Sequence, residues 1–213
     1  MKAGSASGRR DGRRIPTAAM QRFLHAIGVR SGGVGPWTPS RVRSLLGGDM
    51  FLDGAYRCHT DAVAREVGER CRRAFPESAG RWESFGGDWT GRQFVVDGGR
   101  SDRVSIVDPG FAAVLETDVG IEAFHDEELV EYAAASVLAD LLGQWRAADR
   151  EVPAQGEAAG YRVPPFLGGE DTIANLETQD LVVYLDLFAQ LRQQTRDLPD
   201  GTPVRSITTA SDG

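Results

Sequence analysis

Apolar positions recur first at helical spacing, then in short alternating runs, then at helical spacing again. Met20, Phe23, Leu24 and Ile27 fall three and four residues apart, which predicts a helix that stops at Gly28. Thr38-Pro39 opens a second helix, with Thr38 as N-cap, Pro39 at the first helical position and Val42, Leu45 and Leu46 on its apolar face. Residues 50–58 enclose Asp53-Gly54, a two-residue turn signal, and predict a small hairpin. Thr60 or Asp61 caps the next helix, lined by Val63, Ala64, Val67, Cys71 and Ala74 and ended by Phe75-Pro76.

From residue 81 to residue 115 the period shortens. Runs at 82–85, 93–96, 104–107 and 112–115 are separated by Gly86-Gly87, Gly98-Gly99 and Asp108-Pro109-Gly110, which predicts an antiparallel meander. Residues 121–132 turn helical, and Val137, Leu138, Leu141, Leu142 and Trp145 form a further amphipathic stripe. A last helix is predicted over 178–196, with Leu181, Tyr184, Leu185, Phe188, Leu191 and Arg192 on one side, and an added edge strand over 204–207. The strands follow one another too closely for crossover helices. The expected fold class is α+β: an antiparallel sheet of about four to six strands covered by helices on one face, with a helical N-terminal extension.

The pattern divides the chain into a disordered basic tail (1–16), the helical extension (17–54), an α+β part (55–150), a surface connection (151–160) and a C-terminal module (161–213) packed on the same core. Charge follows a similar division. Residues 1–50 carry nine Lys+Arg against two Asp+Glu, whereas residues 51–213 carry 15 against 29. Phosphate binding needs clustered basic residues, so nucleic acid is not an expected partner. No run of 18 apolar residues predicts a membrane span, and the basic N-terminus lacks the apolar stretch of a secretion signal, so a cytoplasmic protein is expected. Cys58 and Cys71 read as buried thiols of a reducing compartment. The oligomeric state is not legible.

Candidate chemistry is sparse, and no cofactor is expected. No G-x-S-x-G occurs, and Gly32-Gly33-Val34-Gly35 lacks the flanking elements and Lys-Ser/Thr pair of a P-loop. His25 reads as a structural histidine. His125 and Glu128 lie three apart on a predicted helix, which leaves a metal-dependent hydrolase as one reading. The plainer reading of residues 125–128 is an acidic first helical turn, favoured by the macrodipole. In GDWTGR (residues 87–92) Asp88 and Gly91 read as turn residues. Trp89 is either core or an exposed anchor for a partner.

Two blocks carry a resemblance. GGDWTGRQFVVD (86–97) is followed by a strand ending in Asp-Pro-Gly and then by FHDEELVEY (124–132). The second block is YRVPPFLGGEDTIANLETQDLVVYLDLFAQLRQQTRDLPDGTPV (161–204), of which residues 165–177 are the most specific part. Over roughly residues 56–207 the chain resembles bacterial immunity proteins encoded near polymorphic toxins. In particular it is similar to the two-part immunity proteins of type VI secretion DNase toxins, with a GAD-like N-terminal part and a small C-terminal immunity domain, loosely grouped with the SUKH superfamily. The resemblance implies a non-enzymatic protein whose partner is a cognate toxin. A nuclease toxin has a basic cleft to hold phosphates, and an acidic surface would be steered to it. The residues expected at the contact are Asp88, Trp89, Asp126, Glu127, Glu128, Glu131, Glu170, Asp171, Glu177 and Asp180. A general interaction or scaffold module with a non-toxin partner is the alternative.

Overall fold

The structure, a computed structural model, describes residues 20–28, 35–77, 82–98, 102–199 and 202. The expected tail (1–16), residues 32–34 of the glycine-rich loop and the expected strand at 204–207 lie outside them. Helix α1 spans Gln21–Ala26 and α2 Pro39–Leu46, the latter capped by Thr38, whose side chain accepts from Arg41 N. The short strands β1 (Met50–Phe51) and β2 (Tyr56–Cys58) form the expected hairpin. Its turn is wider than a two-residue Asp-Gly turn: residues 52–55 separate the paired Phe51 and Tyr56, and Leu52, Asp53 and Gly54 all take positive φ. Helix α3 (Asp61–Ala74) starts at Thr60, whose side chain accepts from Val63 N, and ends at Phe75.

The meander follows as β3 (Trp82–Asp88), β4 (Gln93–Asp97), β5 (Arg103–Asp108) and β6 (Ala113–Gly120). With the hairpin it makes one antiparallel six-stranded sheet in sequential order. A helical stretch comes next: α4 (Ile121–Ala123), a π-helical turn (Phe124–Glu128) and α5 (Leu129–Glu131). Helices α6 (Ala133–Ser136) and α7 (Ala139–Ala147) are divided at Leu138, which sits at φ 51°. The chain then forms β7 (Glu157–Tyr161), two 3-10 turns, β8 (Leu176–Asp180) and α8 (Leu181–Thr195). Strands β7 and β8 pair antiparallel as a separate two-stranded sheet.

Helices cover both faces of the large sheet, not one. On β4, Phe94 and Val96 join a core with Phe23, Leu24, Phe124, Leu129 and Trp145, while Val95 between them joins Val67, Cys71, Leu181, Leu185 and Phe188. Strand β5 divides likewise, with Val104 and Ile106 on one side and Val107 on the other. Successive strand side chains point to opposite faces, so an unbroken apolar run such as Phe94-Val95-Val96 requires cover on both. Each such side chain withdrawn from water contributes about 1.5–3 kcal/mol.

Two further expectations change. Residues 151–160 are not a plain surface connection, because β7 begins at Glu157 and buries Ala158, Ala159 and Gly160. The last helix begins at Leu181 rather than 178: Asp180 caps it by accepting from Val183 N at 2.9 Å, and the residues before it are strand.

Candidate interaction surface

The turn between β3 and β4 is a junction inside the molecule. Asp88 Oδ1 accepts from Thr90 N, Thr90 Oγ1 and Arg92 N at 2.8–3.0 Å, and Asp88 Oδ2 accepts from Arg92 Nε at 2.6 Å. The acid thereby holds the tight turn that Gly91 closes at φ +92°. Arg92 Nη2 continues to the Ser136 carbonyl at 3.0 Å, and Trp89 Nε1 donates to the Leu138 carbonyl at 3.3 Å. Trp89 also receives Ala159 N on its own carbonyl at 2.8 Å. These bonds tie the turn to α6, α7 and β7. Asp88 is 2% exposed and Trp89 0%. Neither presents a side chain to a partner, which corrects their expected place at the contact: packing and bond formation both hold them inside.

The expected acids fall on two separate parts of the fold. Asp126, Glu127, Glu128 and Glu131 lie on the helical stretch that packs against α1. Asp126 Oδ1 accepts from Phe23 N at 3.0 Å, satisfying the amino end of α1, and Glu128 Oε2 accepts from Ser136 Oγ at 2.8 Å. Glu131 pairs with Arg22 at 2.6 Å near the surface, and Glu127 is exposed. Glu170, Asp171, Glu177 and Asp180 lie on β8 and the loop before it. Asp171 accepts from the Tyr161 hydroxyl, Asp180 caps α8, and Glu170 and Glu177 are exposed. Of these eight acids, Glu127, Glu170 and Glu177 are therefore the ones presented outward with no carboxylate bond to a described residue.

A groove of about 390 Å³ opens beside β8, lined in part by Trp145, Leu176, Arg150, Arg162, Glu151 and Glu177. Arg150 lies over the Trp145 ring, 4.5 Å from its centroid, and donates from Nη1 to the carbonyls of Ile173 and Leu176 at 3.0 and 2.8 Å. Arg162 Nη2 donates to the Ala174 carbonyl at 2.6 Å. The sequence carries no signal for this groove, since its lining comes from several short stretches between residues 145 and 178 that are individually ordinary.

His125 is fully buried, and both ring nitrogens are engaged. The Ile121 carbonyl lies 2.7 Å from Nδ1 and can only accept, so Nδ1 carries the proton and Nε2 accepts from Tyr56 OH at 2.8 Å. Tyr56 OH in turn accepts from Cys58 Sγ. Burial pushes His125 down to about 4 and the Cys58 thiol up to about 12. This chain of bonds is internal, which removes His125 as a metal ligand and Cys58 as a thiolate nucleophile. His25, expected to be structural, is exposed on α1.

A search of curated proteins gave no match to the chain. Residues 120–192 match the family model described as T6SS immunity protein Tdi1, C-terminal. The matched residues run from the last residue of β6 into α8, and so include β7, β8 and the groove beside them. The match does not bear on the GAD-like and SUKH-like assignments, and it begins at residue 120, inside the 55–150 part expected to be GAD-like. Over residues 120–192, about a third of its length, the chain is similar to the C-terminal region of type VI secretion immunity proteins.

Proposed function

We propose that this protein binds a cognate type VI secretion toxin in the cytoplasm and blocks it by protein–protein contact, without doing chemistry of its own. The observation that carries this reading is the match of residues 120–192 to an immunity-protein family. The toxin is a nuclease with a basic cleft, approached by the acid-rich part of the chain: residues 51–213 hold 15 Lys+Arg against 29 Asp+Glu. Opposite potentials speed encounter and suppress wrong partners. The contact includes Glu127, Glu170 and Glu177, which are exposed and hold no internal bond to break.

Co-expression with the toxin encoded beside this chain's gene tests the reading. Growth is rescued by the unaltered chain, and the two proteins co-purify. Continued killing, with the chain folded and expressed, rejects the toxin as partner and favours a scaffold role with another protein.

A further inference from the structure

The outer edge of β8 has an open backbone position. Directly opposed residues of an antiparallel pair either exchange both backbone bonds or make none. Ala159, opposite Thr178, turns its N–H away from β8 to the Trp89 carbonyl. The pair is therefore the unbonded kind, and Thr178 directs its own N–H and C=O outward. Two neighbouring bonds set the same register: Arg162 N to Asn175 O and Leu181 N to Gly156 O, each at 2.8 Å. Leu176, two residues earlier, also faces outward, and Arg150 occupies its carbonyl at 2.8 Å. No group among the described residues occupies Thr178 in that way.

The groove beside this edge carries charge of both signs. Arg150 and Arg162 are fixed by backbone carbonyls, and no carboxylate among the described residues pairs with either. A guanidinium held in this way is prepared for a carboxylate, because part of its donor fork remains to be matched. Glu177 is exposed on the adjoining position of β8 and adds the opposite sign. Trp145 and Leu176 supply apolar lining.

We propose that β8 receives an extended segment of the toxin as an added strand. The segment's backbone pairs with Thr178, an acidic side chain on it meets Arg150 and Arg162, and a basic side chain meets Glu177. Strand addition of this kind draws affinity from main-chain bonds and specificity from alternate side chains. The occupant rests on the toxin reading above; the open edge does not.

The test uses the full chain, alone and with the toxin encoded beside its gene, and follows hydrogen exchange at the Thr178 amide. In the complex that amide should exchange at least tenfold more slowly. Thr178→Pro removes the outward N–H while sparing the bonds to β7, and should weaken toxin binding at least tenfold. The double variant Arg162→Glu, Glu177→Lys keeps the backbone edge intact and should weaken binding similarly, which covers the case in which the proline variant misfolds. Toxin binding that leaves Thr178 unprotected, or a double variant that binds like the parent, overturns the site. Protection that appears with rising concentration of the chain alone assigns the edge to a second copy and overturns the proposal. Failure of the unaltered chain to bind the toxin at all rejects the toxin reading and the occupant with it.

Discussion

Arg92 Nε lies 2.6 Å from Asp88 Oδ2, four residues away in sequence, with both side chains inside the protein. The same arginine reaches Ser136 O, so one buried pair holds a turn of the large sheet against the region matched to immunity proteins. Removing one member of a buried pair leaves an uncompensated charge and costs about 3–5 kcal/mol. Asp88→Ala and Arg92→Leu should each destabilise by that order in urea unfolding. The double variant should lose less than the sum, because the second change removes the orphaned charge left by the first. Strict additivity would show that the two side chains are held independently.

The ring of Tyr184 packs closely against two glycines. A Cβ on Gly160 would stand 2.7 Å from Tyr184 Cδ2 and Cε2, and one on Gly91 would stand 2.9 Å from Cε1. Gly160→Ala should therefore cost about 1–3 kcal/mol, the usual range for overpacking. Pairing it with Tyr184→Leu should recover part of that loss, since the smaller side chain relieves the contact. Thermal unfolding of the two singles and the double checks this; a double variant at or below the sum would place the strain elsewhere.

Which parts were legible follows from what each element packs against. The meander, the Thr38 and Thr60 caps and the buried face of α8 announce themselves because turn residues, capping hydroxyls and large apolar side chains do local work there. Strand β7, EAAGY, does not. Its small residues pack under Tyr184 and beside Trp89, so the large β-branched side chains that mark a strand are missing. Cover on both faces was encoded in the unbroken run Phe94-Val95-Val96, which alternation counts alone pass over. The motif around Asp88 and Trp89 suggests both a turn with a core tryptophan and a place at the contact, and the structure has the first, a demanding internal turn. The π-helical turn at Phe124–Glu128 had no sequence signature. It coincides with His125 Nδ1 bonding the Ile121 carbonyl, a backbone group that a regular helix would use itself.

The buried histidines predict how stability responds to acid. Burial lowers His125 to about 4, and burial together with Arg43 and Arg57 lowers His59 to about 3. An unfolded histidine titrates near 6.5, so between that value and the folded ones the unfolded chain binds more protons. Their contribution is complete above about pH 6.5 and is lost as pH falls, at about 1.4 kcal/mol per pH unit for each histidine. The unfolding free energy should drop from pH 7 to pH 5, and His125→Gln should flatten that slope even if it lowers stability overall. An unchanged slope would assign the proton uptake to other groups.

Acids that look alike in the sequence should separate in experiment. Asp126 satisfies the amino end of α1, whereas Glu127 beside it is exposed. Asp126→Ala should cost about 1 kcal/mol, as loss of a helix cap does, with toxin association changed little beyond any loss of folded protein. The triple variant Glu127→Lys, Glu170→Lys, Glu177→Lys should unfold like the parent but associate with the toxin more slowly. Most of its effect should lie in the association rate and fade as salt rises, because exposed charges act by steering over a distance that salt screens. Stopped-flow association at low and high ionic strength reads this directly. A triple variant whose association rate and salt dependence match the parent's would remove the acidic surface from the recognition step, and Glu177 from the β8 contact with it.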